Sequence, residues 1–549
     1  MDNSFFDEMK MAENLNFEKD TILRIIIGFG GRLCLEKALS NSLHTLRVIV
    51  WEPDAGSYND YCERNDLEDI LMDKRLTIVA GEDTDNLKRV LRENIKDYNV
   101  HHIKVVSVGK YINRNDPYVE TMVGILKEII QPVANAEGAR KKFHLLPCKN
   151  FIYTINSLDR NYIISQLLDN IGTRDIPIVI VAAGPSLMKN CSELKRASGK
   201  AIIIAVTHAM KTLRNNDIMP DLVAVTDPKE TGFIDFGEDK QYTILSSVYA
   251  DDKCRNGYDG RIIYYGFNLF REEFSVERTL AEADEELDTG SVATDIFSIF
   301  VTAGFKNIIL VGQDLAYDSS GYSHTGFESD INDKNINDNN IEADGINGEK
   351  VRTRSDWEFF RKYFEKVIEH NKDIQVIDAT EGGALIKGTL IMSLADTIDK
   401  YCNREYPINE WIKKLKGGDQ REKEYIDEWF DLNIYNLKKT SQILDEAVSL
   451  NESVRKLWNN PELWDDDFRN ACRRYDVLYS QIMEGTAGEL LRFYCTEVIQ
   501  TYLENALAIE GDENIENRMV MEYELFSIMK DKSGDLFEYI HNLRDQRGI

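Results

Sequence analysis

Positive charge is scarce in this chain. Sixty-six lysines and arginines face 95 aspartates and glutamates, a net charge of −29 over 549 residues, with a pI near 4.8. So acidic a surface repels a phosphate backbone and an anionic bilayer, which argues against nucleic acid or such a membrane as partner. A local pocket of backbone donors can still hold a nucleotide. Paired cysteines are missing too. Cys34, Cys62, Cys148, Cys191, Cys254, Cys402, Cys472 and Cys495 are scattered and form no CxxC. Neither a zinc site nor a disulfide framework is implied, and reduced thiols in a cytoplasmic protein are expected. Long hydrophobic runs are absent as well. "IVIVAA" is among the longest, far short of a membrane span, and the acidic start "MDNSFFDEMKMAENLNFEKD" has no apolar core of a signal peptide.

What is present is 43% hydrophobic residues over a length that suits about three domains. Residues 1–150 alternate strand and helix: "TILRIIIGFGGRLCLEKAL", "LRVIVWEPD", "LTIVAGED" and "HIKVVSVGK" read as α/β. "FIYTINSLDRNYIISQLLDNI" (151–171) reads as one amphipathic joining helix. Up to residue 400 the alternation is stronger, with strands near 178–183, 201–206, 222–227, 242–248, 262–266, 307–312 and 374–378. Short apolar runs between helical stretches predict a doubly wound, mostly parallel sheet. The stretch 327–350 holds six Asn, seven acids and two Lys, and reads as a surface loop or flap with nothing to pack in a core. Residues 401–549 carry helical spacing over 419–456, 464–509 and 514–545, broken at Pro461. The fold class is therefore α/β: a Rossmann-like N-terminal domain (1–150), a central doubly wound, mostly parallel sheet domain (151–400) and a C-terminal α-helical domain (401–549).

In an open parallel sheet, ligands bind off the carboxyl ends of the strands, and the motifs of the central segment fall at such ends. Gly184-Pro185-Ser186 follows "IVIVAA". Gly184 permits close approach, Pro185 suits a first helical turn, and Ser186 adds a hydroxyl beside free helix N–H groups. This suits phosphate; a tight turn with a Ser cap is the other reading. Asp227 ends "AVTD", placed for a ribose, a metal or an acceptor hydroxyl, or merely to cap a turn. Asn215, Asn216 and Asp221 upstream fit turn formers. Thr289-Gly290-Ser291 precedes an apolar helix, as a second ligand-facing terminus or a plain cap. Gly312-Gln313-Asp314 ends a buried strand, and His324 follows Tyr317 in a polar loop, where a histidine can act as general base. "DATEGGALIKG" adds a Gly-Gly turn.

Together "VAAGPSL" with "KN", "PDLVAVTDP", "TGSVATD", "IILVGQDLAY" with "SH", and "DATEGGALIKG" resemble the motility-associated factor (Maf) flagellin glycosyltransferases, across most of 172–400. The resemblance implies transfer of a nonulosonic acid, pseudaminic or legionaminic in type, from its CMP-activated form to Ser or Thr of flagellin. Its central domain is similar to bacterial sialyltransferases. On that analogy Gly184, Pro185 and Ser186 hold the CMP phosphate, and Thr289, Gly290 and Ser291 line the nucleotide pocket with Gln313 and Asp314. His324 or Asp227 is the base, and a divalent metal is an option. The same domain resembles an archaeal pterin pyrophosphokinase, which implies ATP, Mg²⁺ and metal ligation by Asp227 and Asp314. A third reading is a non-catalytic flagellin-binding assembly factor. Tryptophans 411, 429, 458 and 464 of the helical region either pack its helices or dock flagellin. At the N-terminus "GFGGRL" (28–33), with Glu52 twenty-four residues on, resembles a dinucleotide or S-adenosylmethionine fingerprint, but Leu33 replaces the third glycine. A degenerate Rossmann-like domain is the expectation there.

Overall fold

The computed structural model describes the chain apart from residues 1–2, 18–20, 41–45, 66, 96–98, 114, 144, 230–241, 252–259, 267–289, 325–340, 418–419, 459, 484–487, 508–514 and 548–549. The chain divides into two compact units, Met1–His144 with Leu432–Asn542, and Leu145–Asp431 with Leu543–Ile549.

In the first unit, β1 (Leu23–Ile27), β2 (Arg47–Glu52), β3 (Leu76–Ala80) and β4 (Ile103–Ser107) form a parallel sheet in the order β3-β2-β1-β4. The two-residue period of a strand sends alternate side chains to opposite faces. Ile25, Ile27, Ile49 and Trp51 meet Leu87, Leu91, Met122 and Ile125 of helices Thr84–Asn94 and Pro117–Phe143. Ile26, Val48 and Val50 meet Leu35 and Ala38 of helix Arg32–Ala38 on the other face. This is the Rossmann-like arrangement expected.

The glycine fingerprint is filled from within. Glu52 is buried and accepts from Phe29 N–H at 2.8 Å, Asp54 N–H at 2.9 Å and the Tyr111 hydroxyl at 2.5 Å. The carboxylate that would meet a ribose thus binds its own domain. At Gly31, with φ +87°, the Glu8 carboxylate oxygens lie 2.6 and 2.7 Å from where a Cβ would stand. The chain's own Glu8 side chain thus crowds the glycine turn.

The helical part of this unit includes Asp466–Met483, Thr496–Leu507 and Ile515–Gln546, and the chain breaks at Pro461 as expected. A buried polar knot holds these helices in register. Glu522 accepts from the Tyr475 hydroxyl at 2.8 Å, the Tyr502 hydroxyl at 3.2 Å and Arg518 Nε at 3.0 Å, so that its buried charge is met from three helices.

The second unit carries β5 (Tyr162–Ile163), β6 (Ile178–Val181), β7 (Ile202–Val206), β8 (Leu222–Val225), β9 (Thr243–Ser247), β10 (Ile262–Tyr265), β11 (Asn307–Val311), β12 (Ile341–Asp344), β13 (Lys350–Thr353), β14 (Gln375–Asp378) and β15 (Leu390–Ile391). Nine of them form a sheet in the order β15-β14-β11-β6-β7-β8-β9-β10-β5. Every pairing in it is parallel. Ile178 and Ile180 enter one core, Val179 and Val181 the other, so both faces are covered and the strands read as unbroken apolar runs.

Three expectations need correction. The joining helix is not continuous: helix Leu146–Ser157 ends, β5 pairs with β10, and helix Ile164–Asn170 begins. The cause is local capping. Asn161 Nδ2 donates to Ser157 O at 2.9 Å, and Gln166 Oε1 accepts from Ile163 N–H at 3.0 Å. The acidic stretch does contribute to a core. β12 and β13 form an antiparallel hairpin whose Ala343 is buried, although 325–340 lie outside the described residues. Third, Trp411 and Trp429, weighed as docking aromatics, are buried at 8% and 4% exposure, and Trp411 belongs to the core of the central sheet.

Candidate functional site

Sheet order locates the cleft. From β6 the chain moves outward through β7, β8, β9 and β10, then returns to place β11 on the other side of β6. The direction of winding reverses between β6 and β11, the place where open α/β sheets bind ligands. Register extends this into a row. Val181 stands opposite both Val311 and Ala205, Ala205 opposite Val223, Val223 opposite Ile244 and Ile244 opposite Ile262. Three residues beyond these positions come Asp314, Gly184, His208, Thr226, Ser247 and Tyr265. Ser247 and Tyr265 end their strands and the other four lie just beyond theirs, so six neighbouring strands each lead to one residue at the carboxyl edge.

At the centre of the row, Gly184 and Asp314 interlock. Gly184 N–H donates to Gly312 O at 2.8 Å. Asp314 accepts from the Ser186 hydroxyl at 2.7 Å and from Ser186 N–H at 3.2 Å. Ser186 is 1% exposed and Asp314 6%. The turn expected to present donors to a phosphate therefore has an anion already, from a residue 128 positions away. The helix behind it is a single turn, Leu187–Asn190, continued as a 3₁₀ segment, and offers little dipole. Gly383, with φ +85°, passes so close that a Cβ there would lie 2.5 Å from Asp314 Cα. Burial pushes the Asp314 carboxyl up to about 6, against the opposing pull of the Ser186 hydrogen bonds.

Around this lock lie oxygens with no donor among the described residues: Gln313 Oε1, Asp378 Oδ2 and Asn190 Oδ1. Gln313 N–H is held by Thr380 Oγ1 at 3.2 Å, and Asn190 Nδ2 donates to Ala379 O at 3.0 Å. Burial pushes the Asp378 carboxyl to about 6 as well. Buried acceptors without donors are rare in folded proteins and mark where a ligand group, water or proton completes the structure.

Of the candidate bases, His324 reaches the row. Its ring lies 5.6 Å from that of His208, tilted by 39°, and Ser323 Oγ stands 2.9 Å from its Nδ1. Asp227 lies two residues beyond β8, and β8 stands three strand spacings, or roughly 14 Å, from β11, whose end precedes Asp314. The two aspartates are therefore not brought together for one metal ion, and among the described residues no group of three His, Cys, Asp or Glu could hold one. Ser291 caps helix Val292–Thr302, accepting from Thr294 N–H at 3.2 Å, while Gly290, with φ +77°, lies beneath Phe360. Thr289 lies outside the described residues. That helix start does reach the edge, since Asp295 in its first turn lies 3.4 Å from Thr226 Oγ1, itself 2.5 Å from the Tyr265 hydroxyl.

A family model described as 6-hydroxymethylpterin diphosphokinase MptE-like matches residues 149–320. No curated protein sequence matches the chain. Among solved structures, the MAf glycosyltransferase from Magnetospirillum magneticum AMB-1 aligns over 99% of this chain and 83% of its own, with a TM-score of 0.56 and 16% identity. The chain has the Maf glycosyltransferase fold. At that identity the likeness is one of architecture. The expected resemblance is met over the whole length, both outer segments included.

Within the Maf fold, the sequence motifs named one half of the row and missed the other. Gly184, Ser186, Gln313, Asp314 and His324 gather at the switch point or beside it. Thr226 and Asp378 lie inside "PDLVAVTDP" and "DATEGGALIKG" without having been singled out, and His208, Ser247 and Tyr265 lie in no motif, so that only the strand order finds them. Asp221 proves structural: its Oδ2 accepts from Ile203 N–H at 2.8 Å, and burial pushes it to about 6.

Proposed function

We propose that the central unit is a glycosyltransferase that moves a nonulosonic acid from its CMP-activated form to a serine or threonine of flagellin, in support of flagellar assembly and motility. The observation that carries this reading is the Maf glycosyltransferase architecture along 99% of the chain, with its polar edge at the switch point. The donor lies across the carboxyl ends of β6, β7 and β8, with Gly184, Pro185 and Ser186 beneath the phosphate and Gly290, Ser291, Gln313 and Asp314 flanking the nucleotide. Departure of CMP leaves an oxocarbenium-like sugar, so no covalent nucleophile is needed. His324 takes the proton of the attacking hydroxyl, with Asp227 as the alternative base. The reaction takes place in the cytoplasm.

The helical region supplies the acceptor surface. Trp464 and Leu463 are 37% and 51% exposed, with Trp464 stacked on Phe468 on its inner side and open on its outer one. A second reading is favoured by the MptE-like match: pyrophosphate transfer from ATP to a pterin with Mg²⁺. The wide separation of Asp227 and Asp314 does not fit the shared ion which that reading expects. Calorimetry with CMP, with ATP and Mg²⁺, and with neither separates the readings. CMP binding supports the transferase, ATP binding alone the kinase, and no binding with flagellin captured a non-catalytic assembly factor.

A further inference from the structure

The Gly-Pro-Ser turn leaves a problem of charge. In transfer from a CMP-sugar the bond between anomeric carbon and phosphate oxygen breaks, and its electron pair stays on the phosphate. That developing charge needs a donor. Gly184 N–H is bonded to Gly312 O, and Ser186 N–H and hydroxyl are bonded to Asp314. Lys189 lies nearby, but its Nζ is 3.5 Å from the Cβ position of Gly382, on the side of the Asp314 lock. The next strand provides what the turn lacks. β7 pairs directly with β6, and His208 lies two residues beyond the end of β7 as Gly184 lies three beyond the end of β6. It sits in the middle of the short helical turn Thr207–Ala209, is exposed, and its ring stands 5.6 Å from that of His324.

We infer that His208 is the donor to the departing phosphate, and that His208 and His324 divide the reaction between them; this rests on the CMP-sugar reading above. The acceptor oxygen forms its bond to the anomeric carbon and loses its proton to His324. The phosphate oxygen leaves with the bonding pair and takes a hydrogen bond, then a proton, from His208. One proton is gained and one lost by the imidazole pair, so the site returns to its starting state by exchange with water. Placement assigns the roles. β7 and β11 both flank β6, but His208 follows its strand by two residues, close to the phosphate turn, whereas His324 stands thirteen residues beyond β11 in a loop.

Two measurements on the full chain test this. Calorimetry compares CMP with cytidine, which lacks the phosphate. His208→Ala should weaken CMP about tenfold or more and leave cytidine unchanged, as loss of one hydrogen bond to a charged group requires. His208→Gln, which keeps an N–H donor, should recover part of the loss. His324→Ala should leave both affinities unchanged. Acceptor-free release of CMP from a CMP-nonulosonate is then followed. His208→Ala should slow it by about 10²-fold. A CMP affinity or release rate in His208→Ala equal to wild type overturns the inference and leaves the transferase reading standing. Wild type that binds no CMP overturns both.

Discussion

Replacing Gly184 by alanine tests whether the switch point is built around the lock with Asp314. A Cβ there would stand 2.5 Å from Gly312 O and 2.6 Å from Asp314 Cγ, where ordinary contact begins near 3.4 Å. Asp314 Oδ2 lies closer still to that position than Cγ does, so the carboxylate must retreat by more than about 0.8 Å, the difference between 3.4 and 2.6 Å for Cγ. Oδ2 is also the acceptor of the 2.7 Å bond from the Ser186 hydroxyl, so that bond is lost. A hydrogen bond to a charged group contributes about 1.5–3 kcal/mol. Overpacking a tight site costs about 1–3 kcal/mol more. The sum, about 2.5–6 kcal/mol, is a large part of the 5–15 kcal/mol typical of a domain. Thermal unfolding of the central unit, at roughly 2 °C per kcal/mol for a domain of this size, should shift by roughly 5–12 °C. Gly172→Ala is the control, because nothing lies within 4 Å of its Cβ position; it should change stability by no more than about 0.5 kcal/mol. In the Asp314→Ala background the Gly184→Ala penalty should shrink, since its main clash is gone. A Gly184→Ala midpoint within about 2 °C of wild type would refute the lock.

Five further outcomes follow from the same geometry. His324→Ala should lower sugar transfer by roughly 10²–10⁴-fold with CMP affinity nearly intact, and unchanged turnover would pass the role of base to Asp227. Ser186→Ala should lower stability by about 1.5–3 kcal/mol, since its hydroxyl is bonded to Asp314; a loss seen only in CMP affinity would mean that the hydroxyl turns to the ligand instead. Burial holds Asp221 at about 6 against 3.8 unfolded, so between those pH values the folded state binds more protons and loses stability as pH rises. Asp221→Asn keeps an acceptor for Ile203 N–H without the charge, and should gain in midpoint over wild type at about pH 7.5 relative to about pH 5; a pH-independent difference would refute this. Trp411→Ala should cost about 3–5 kcal/mol by opening a cavity in the central core, and a chain cut at residue 402 should lose CMP binding along with its helices, whereas retained binding would make residues 403–431 dispensable to the core.

The strands were legible where burial on both faces writes the sequence for them. "IVIV", "IIIAV", "LVAV" and "NIILV" are apolar without alternation because helices cover each side. β5 and β15, two residues each, were not legible. They exist because an edge strand beside them leaves its backbone groups open, which is a property of the neighbour and not of "YI" or "LI". The joining helix failed for a related reason: its apolar spacing is genuine on both sides of the break, but Asn161 and Gln166 cap backbone groups that helical periodicity cannot report.

The site divides along the same line. Glycines, Ser186, Asp314 and His324 stand in motifs because turns and close approach demand particular residue types, and those demands are local. What each one faces is not local. Asp314 was expected to meet a ligand, and it meets Ser186; Glu52 was expected to meet a ribose, and it meets Phe29, Asp54 and Tyr111. In both places the chain has placed its own carboxylate against backbone donors that a motif would assign to a phosphate or a sugar. The consequence for chemistry is direct. If the donors of the Gly-Pro-Ser turn serve the fold, transition-state charge must be met by residues from neighbouring strands. These are residues that strand order identifies and motifs do not, with His208 first among them because, among the described residues, its imidazole stands beside that of His324 and it follows the strand next to that of Gly184.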